Sequence, residues 1–167
     1  PDEIVRIFQP NQLSVLLNRV TGLDPSVLEG MLQANGRVFL INPNGILVHA
    51  GARIDVGSFM ASTLNMSDQD FMSGTYRLQQ QDNKPMAALV NHGTIQVGDG
   101  GFVVLTSPLL HNGGMILAQS GQVHLGATTQ ATFSVDGQGL MQFSMPDGFR
   151  HDFAGATPNG TVLMTPG

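Results

Sequence analysis

The chain has 167 residues, 41% of them hydrophobic and 11% charged, with a net charge of −5, 21 glycines, a single lysine (Lys84) and no cysteine. That composition suits one globular domain, and it excludes a disordered chain, disulfides and thiolate chemistry. The seven cations are scattered, so no basic stripe marks a nucleic-acid partner, and apolar runs as short as Val38–Ile41 predict no membrane insertion by a helix.

Taken in chain order, the sequence opens at Pro1 without a methionine or a signal peptide. It reads as part of a longer polypeptide whose beginning is missing. Pro25–Leu32, with Asp24 as N-cap, is the best helical candidate. Arg37–Ile41, Gly45–Val48, Thr94–Val97 and Gln122–Leu125 are short β-rich runs bounded by Gly, Asn or Pro. Between the first two lies Asn42-Pro43-Asn44-Gly45, which predicts a type I turn. Asn42 can bond its own backbone two residues on, Pro43 pre-sets φ, Asn44 tolerates the third position and Gly45 suits the fourth. Ser67–Pro85 is polar and reads as an excursion, a hairpin or short sheet laid on the flank of the fold. Ala131–Met145 alternates around Asp136-Gly137, a hairpin signal, and such hairpins can cover open strand edges.

The informative feature is an internal repeat. Ile95-x-Val97 leads to Gly101-x-Val103-x-Leu105, and Ile116-x-Ala118 leads to Gly121-x-Val123-x-Leu125. The signature stands earlier as Leu32-x-Ala34-Asn35-Gly36-x-Val38-x-Leu40, and it is expected again at Asn159–Leu163. Short strands with Gly or Asn corners at a period of about twenty residues predict an all-β parallel β-helix, or β-solenoid. A β-sandwich is the rival on pattern alone. Asn91 and Asn112, one period apart, are placed to form an asparagine ladder.

Residues that could carry chemistry are sparse. His92 and His111 sit near matching corners, but a metal site would need a further convergent ligand. Asp68 and Asp70 lack the oxygens and loop spacing that calcium requires. Asp55 and Asp99 are the only carboxylates within well-patterned coils, and neither has a charged neighbour in sequence. No nucleophile elbow, zinc-protease or phosphate-loop motif occurs. The reading is therefore no enzyme, no catalytic residue, no metal and no cofactor.

Asn18-Arg19-Val20-Thr21-Gly22, then Ala34-Asn35-Gly36, the run from Val38 through Asn42-Pro43-Asn44-Gly45-Ile46, and Ala61-Ser62-Thr63-Leu64 together closely resemble the two-partner secretion domain. That domain is the N-terminal export module of filamentous haemagglutinin-like adhesins, haemolysins and toxins of Gram-negative bacteria. The resemblance runs from about residue 3 to about residue 145 and implies a right-handed parallel β-helix with extra-helical hairpins. It implies one such domain over residues 1–167, with the N-terminal cap and an upstream Asn-Pro-Asn-Leu turn missing before Pro1. It further implies export through the periplasm to the medium or cell surface, with recognition by the POTRA domains of a dedicated outer-membrane transporter. Asn42, Pro43, Asn44, Gly45 and Ile46 match the family's secretion motif, and Asn18 and Arg19 are expected to support the neighbouring coil or meet the partner. A monomer is expected. The alternative is a β-helix module that binds glycan or exopolysaccharide, which the 6% aromatic content and absence of Trp disfavour.

Overall fold

The computed structural model describes residues 3–137, 141–145, 149–154 and 161–163. Its strands recur coil by coil. The first coil is β1 (Ile4–Ile7), β2 (Val15–Arg19) and β3 (Ser26–Leu28). The second is β4 (Met31–Ala34), β5 (Arg37–Ile41) and β6 (Ile46–Val48). The third starts with β7 (Arg53–Val56) and β8 (Ser58–Ser62), detours through α1 (Asp68–Ser73) and β9 (Thr75–Gln79), and ends with β10 (Ala88–Asn91). The fourth is β11 (Thr94–Val97), β12 (Phe102–Ser107) and β13 (Leu109–Asn112). The fifth begins with β14 (Met115–Leu117) and β15 (Gln122–Ala127), and the chain then leaves through β16 (Gln130–Val135) and β17 (Met141–Ser144).

Strands in equivalent places pair in parallel, giving the runs β1-β4-β7-β11-β14, β2-β5-β8-β12-β15 and β3-β6-β10-β13. Three parallel sheets joined coil to coil make a parallel β-helix, and the β-sandwich alternative falls. The repeat sets the register. Leu32, Ile54, Ile95 and Ile116 stack in one column, and Val38, Phe59, Val103 and Val123 in another. These side chains fill the interior with one continuous apolar cluster. Each inner position faces its counterpart at the ~4.8 Å strand spacing, so similar apolar shapes recur at each level. The glycines of the signature have a steric reason. A Cβ on Gly121 would stand 2.0 Å from the carbonyl oxygen of Gly101, and one on Gly114 would stand 2.2 Å from that of Gly93.

A second core lies outside the solenoid. β16 pairs antiparallel with both β9 and β17, forming a three-stranded sheet. Its inner face and the outward side chains of β5, β8 and β12 bury Phe39, Met60, Tyr76, Leu78, Phe102, Val104 and Phe133 together. Phe39 sits at its centre, edge-on to Tyr76 at 5.0 Å and to Phe133 at 5.7 Å. Strands β8 and β12 are therefore buried on both faces, as sheet strands covered on each side must be.

Three expectations need correction. Pro25–Leu32 is not a helix. Ser26–Leu28 pairs with Ile46–Val48 and Met31 with Ile4 and Arg53, so sheet pairing overrides the local helical pattern. The polar stretch after Ser67 does supply a strand of the flank sheet, β9, but it also contains an unforeseen helix, α1, capped by the Ser67 hydroxyl, which accepts from the Asp70 amide at 3.1 Å, and closed by Gly74 in the left-handed region at φ +79°. The hairpin read around Asp136-Gly137 stands, since β16 and β17 pair antiparallel. Val135 faces Met141, and residues 138–140 of the link lie outside the described residues. Finally, Asn159–Leu163 is not another coil. β18 (Phe149–Ala154) and β19 (Thr161–Leu163) run antiparallel on β15 and β14, which reverses the direction a further coil requires. Asn159 and Gly160 lie outside the described residues.

Candidate functional site: the Asn42–Gly45 corner

β5 delivers Asn42 to the corner where the second coil turns. The Gly45 amide donates to the Asn42 carbonyl oxygen at 3.2 Å, closing a four-residue turn. The Asn44 amide donates to Asn42 Oδ1 at 2.9 Å, the side-chain bond read from the sequence. Gly45 lies at φ +127°, where a side chain would be strained.

The corner also holds its neighbours. Asn42 is 0% exposed, and its Nδ2 donates to the Asp24 carbonyl at 3.0 Å and to Ser26 Oγ at 2.8 Å. Asn44 Nδ2 donates to the Gly22 carbonyl at 2.8 Å. Both amides thus reach back into the first coil and fix the loop that carries Leu23, which is 83% exposed. In the other direction, the Asn42 amide donates to the Ser62 carbonyl at 3.1 Å. Ser62 stacks beside Thr106, whose hydroxyl donates to Ser62 Oγ at 2.8 Å. The hydroxyls of Thr63 and Ser107 lie 2.8 Å apart. Asn42, Ser62, Thr63, Thr106 and Ser107 are all buried. The asparagine is the first rung of a buried polar corner in which each group finds a partner, as burial demands.

Pro43 is half-buried in the turn, and Ile46 is buried in the solenoid interior. Lys84 Nζ approaches Asn44 Oδ1 at 3.5 Å, which brings the 59%-exposed Met86, two residues on, to the same side of the molecule.

Asn18 and Arg19 part company. Asn18 pairs with Leu40 in register, on the inward side of β2, and lines an open cavity of about 280 Å³ at the first-coil end with Val5, Leu16 and Val27. Arg19 points outward. Its Nη1 donates to Asp68 at 2.8 Å and its Nη2 to the Met66 carbonyl. It ties the flanking excursion to the first coil.

Two further clusters were partly visible in the sequence. Asn91 Nδ2 donates to Asn112 Oδ1 at 2.8 Å in a buried ladder. The rings of His92 and His111 stand 5.5 Å apart. Sequence reasoning missed Gln9. Its side chain accepts from the Gly36 amide at 2.8 Å and donates to the Ser14 and Arg37 carbonyls, each at 3.0 Å. The available signal was Gly36, where a Cβ would stand 2.6 Å from Gln9 Cδ.

Among the described residues, no group of three His, Cys, Asp or Glu side chains gathers to hold a metal. Among the described residues, the phenol of Tyr76 is the group whose titration its surroundings clearly perturb. Burial pushes its phenol up from 10.0, and the nearby Arg37 pulls it partly back. That is a property of the flank core, not of a reaction centre.

The distinctive residues of this parallel β-helix are spent on joining coil to coil. The comparisons with known proteins give its class. The TPS secretion domain family matches residues 1–166, and the chain belongs to that family of secretion modules. It is similar to a heme/hemopexin-binding protein of Haemophilus influenzae, 35% identical over 138 residues, covering 78% of this chain and 15% of that protein. A second heme/hemopexin-binding protein of Haemophilus influenzae is 38% identical over 77 residues, covering 46% of this chain and 8% of that protein. The crystal structure of the HMW1 secretion domain from Haemophilus influenzae superposes with a TM-score of 0.80 at 35% identity, covering 94% of this chain and 40% of that one. The chain therefore spans only a small part of the curated relatives it matches.

Proposed function

We propose that this chain is the secretion signal of a large exoprotein, an adhesin, haemolysin or toxin, and that it is recognised in the periplasm of a Gram-negative bacterium by the POTRA domains of a cognate outer-membrane transporter. The protein then reaches the medium or the cell surface, and the module works as a monomer. One observation carries this reading. The family's motif residues are not a surface in themselves: Asn42 and Asn44 bond to the Gly22–Ser26 segment and so present the exposed Leu23, with Met86 flanking the same corner. Asn42, Pro43, Asn44 and Gly45 shape the contact, Ile46 anchors it to the core, and Asn18 and Arg19 hold the neighbouring coil and excursion. An exposed apolar turn beside strand edges suits docking by strand addition to the transporter's sheet.

The test is co-expression of the full-length protein with and without the transporter, scoring the culture medium. Leu23→Asp and Met86→Asp are expected to lower secretion while leaving the thermal midpoint of the purified chain unchanged. Export without the transporter, or normal export of the double variant, would overturn the reading.

A further inference from the structure

The second polar corner does something the secretion reading does not use. Asn91 and Asn112 pair in parallel register, as do Val90 and His111. His92 follows Asn91, so the two histidines come from adjacent coils onto one outer corner, with ring centroids 5.5 Å apart at an interplanar angle of 61°. A Cβ on Gly113 would stand 3.1 Å from His111 Nε2 and 3.3 Å from His92 Nδ1. Two ring nitrogens thus face one small space, and the missing side chain of Gly113 keeps it open. Gly113 is not among the positive-φ glycines, so backbone conformation does not explain the residue there.

The corner beneath is fixed. The Gly113 and Gly114 amides both donate to the Asn91 carbonyl at 2.9 Å, and the Gly93 amide donates to Asn91 Oδ1 at 3.1 Å. Asn91 and Asn112 are buried, His111 is half-buried and His92 is exposed. The imidazoles therefore stand on a rigid base at the edge of solvent.

We propose that His92 and His111 form a two-imidazole site for a divalent first-row transition metal ion, of which Cu(II) and Zn(II) are the chemical type. Imidazole nitrogen suits these ions, and Cu(II) binds a given nitrogen site most tightly. With metal–nitrogen bonds of ~2.0–2.1 Å, two imidazoles on one tetrahedral ion have centroids about 5 Å apart, close to the spacing here. Among the described residues no third His, Cys, Asp or Glu joins the pair, so water would complete the coordination. His49 follows Val48, which pairs with Asn91, but it is no part of this pair and serves as the control.

The experiment is equilibrium dialysis of the secreted full-length protein against CuCl2 and, separately, ZnCl2, with bound metal counted against wild type for each variant. His92→Ala and His111→Ala should each lower affinity at this site by at least the about 10- to 100-fold that loss of a mere outer-shell partner costs. Gly113→Ala keeps both imidazoles but places a methyl between them, and should also lose the ion. His49→Ala should keep it. The thermal midpoint of wild type should rise on adding Cu(II), and that rise should vanish in His92→Ala. His92 is exposed, so its variant decides the matter even if His111→Ala fails to fold. Equal metal binding by wild type, His92→Ala and Gly113→Ala overturns the proposal.

Discussion

At the scale of single residues, the Asn42–Gly45 corner is a fastener. Asn42 uses both ends of its amide: Nδ2 donates twice into the first coil and Oδ1 accepts from the Asn44 amide. Asn42→Ala removes these bonds, and the one that Asn44 Nδ2 donates to Oδ1, from a fully buried position. Leaving buried partners unsatisfied costs about 1–3 kcal/mol, so the urea midpoint should fall while the slope stays constant. Asn42→Asp keeps the acceptor but loses both donors and buries a charge, and should be worse than alanine in the same measurement. Arg19 offers a contrast. Its ion pair with Asp68 joins side chains 25% and 86% exposed, and such pairs contribute about 0–1 kcal/mol. Asp68→Ala should therefore scarcely shift the urea midpoint. Arg19→Ala should shift it further, because the bond to the Met66 carbonyl goes as well.

At the scale of elements, the flank sheet is bound to the solenoid by aromatic packing and not by strand pairing. β9, β16 and β17 form a sheet of their own, separate from the three of the solenoid, and Phe133, 1% exposed, fills the space between them and β5 and β12. Phe133→Ala should cost about 3–5 kcal/mol, and limited proteolysis should then cut within residues 67–85 before any coil. Tyr76 reports on the same layer. It is the chain's only tyrosine, and there is no tryptophan, so absorbance near the phenolate band follows it alone. Burial raises its phenol above 10.0, so the fold favours the neutral form. Stability is then full below pH 10 and is lost as the pH rises through the raised value. Alkaline titration should place the phenolate midpoint above pH 10, and Phe133→Ala should bring it down towards that value. A normal titration in the wild type would mean that the flank sheet does not seal Tyr76. This layer was only partly legible in the sequence. The Asp136-Gly137 alternation marked a hairpin, but Ser67 and Gly74, which cap α1, stand in a run too short and polar to show a helical period. The link from Arg19 to Asp68 spans 49 positions, and no local pattern encodes it.

At the scale of the whole molecule, the columns of the solenoid were legible because stacking forces equivalent residues to recur. Ile95 and Ile116, or Gly101 and Gly121, announce one coil to the next. The first coil was not legible, because its strands break the period: β1 is largely exposed, and Asn18 stands where later coils place Leu40, Ala61 and Leu105. This unevenness has a consequence for stability. In a stacked array each coil touches only its neighbours, so a defect should act according to its level. Ile54, 1% exposed, sits in the third coil between Leu32 and Ile95. Ile54→Asp buries an unpaired carboxylate at the middle of the five levels, with two coils on either side, and it should abolish cooperative unfolding. Leu16, 38% exposed on the first coil, stacks only on Val38. Leu16→Asp places its charge near solvent and should release β1–β3 alone. Hydrogen exchange separates the two outcomes: in Leu16→Asp, amides of β8 and β12 should keep wild-type protection, while those of β2 and β3 exchange freely. Loss of protection in β12 of that variant would mean that the first coil organises the stack, so that folding runs from it. In that case the Asn42 fastener, which ties the first coil to the second, would govern folding of the entire domain and not just the shape of one corner.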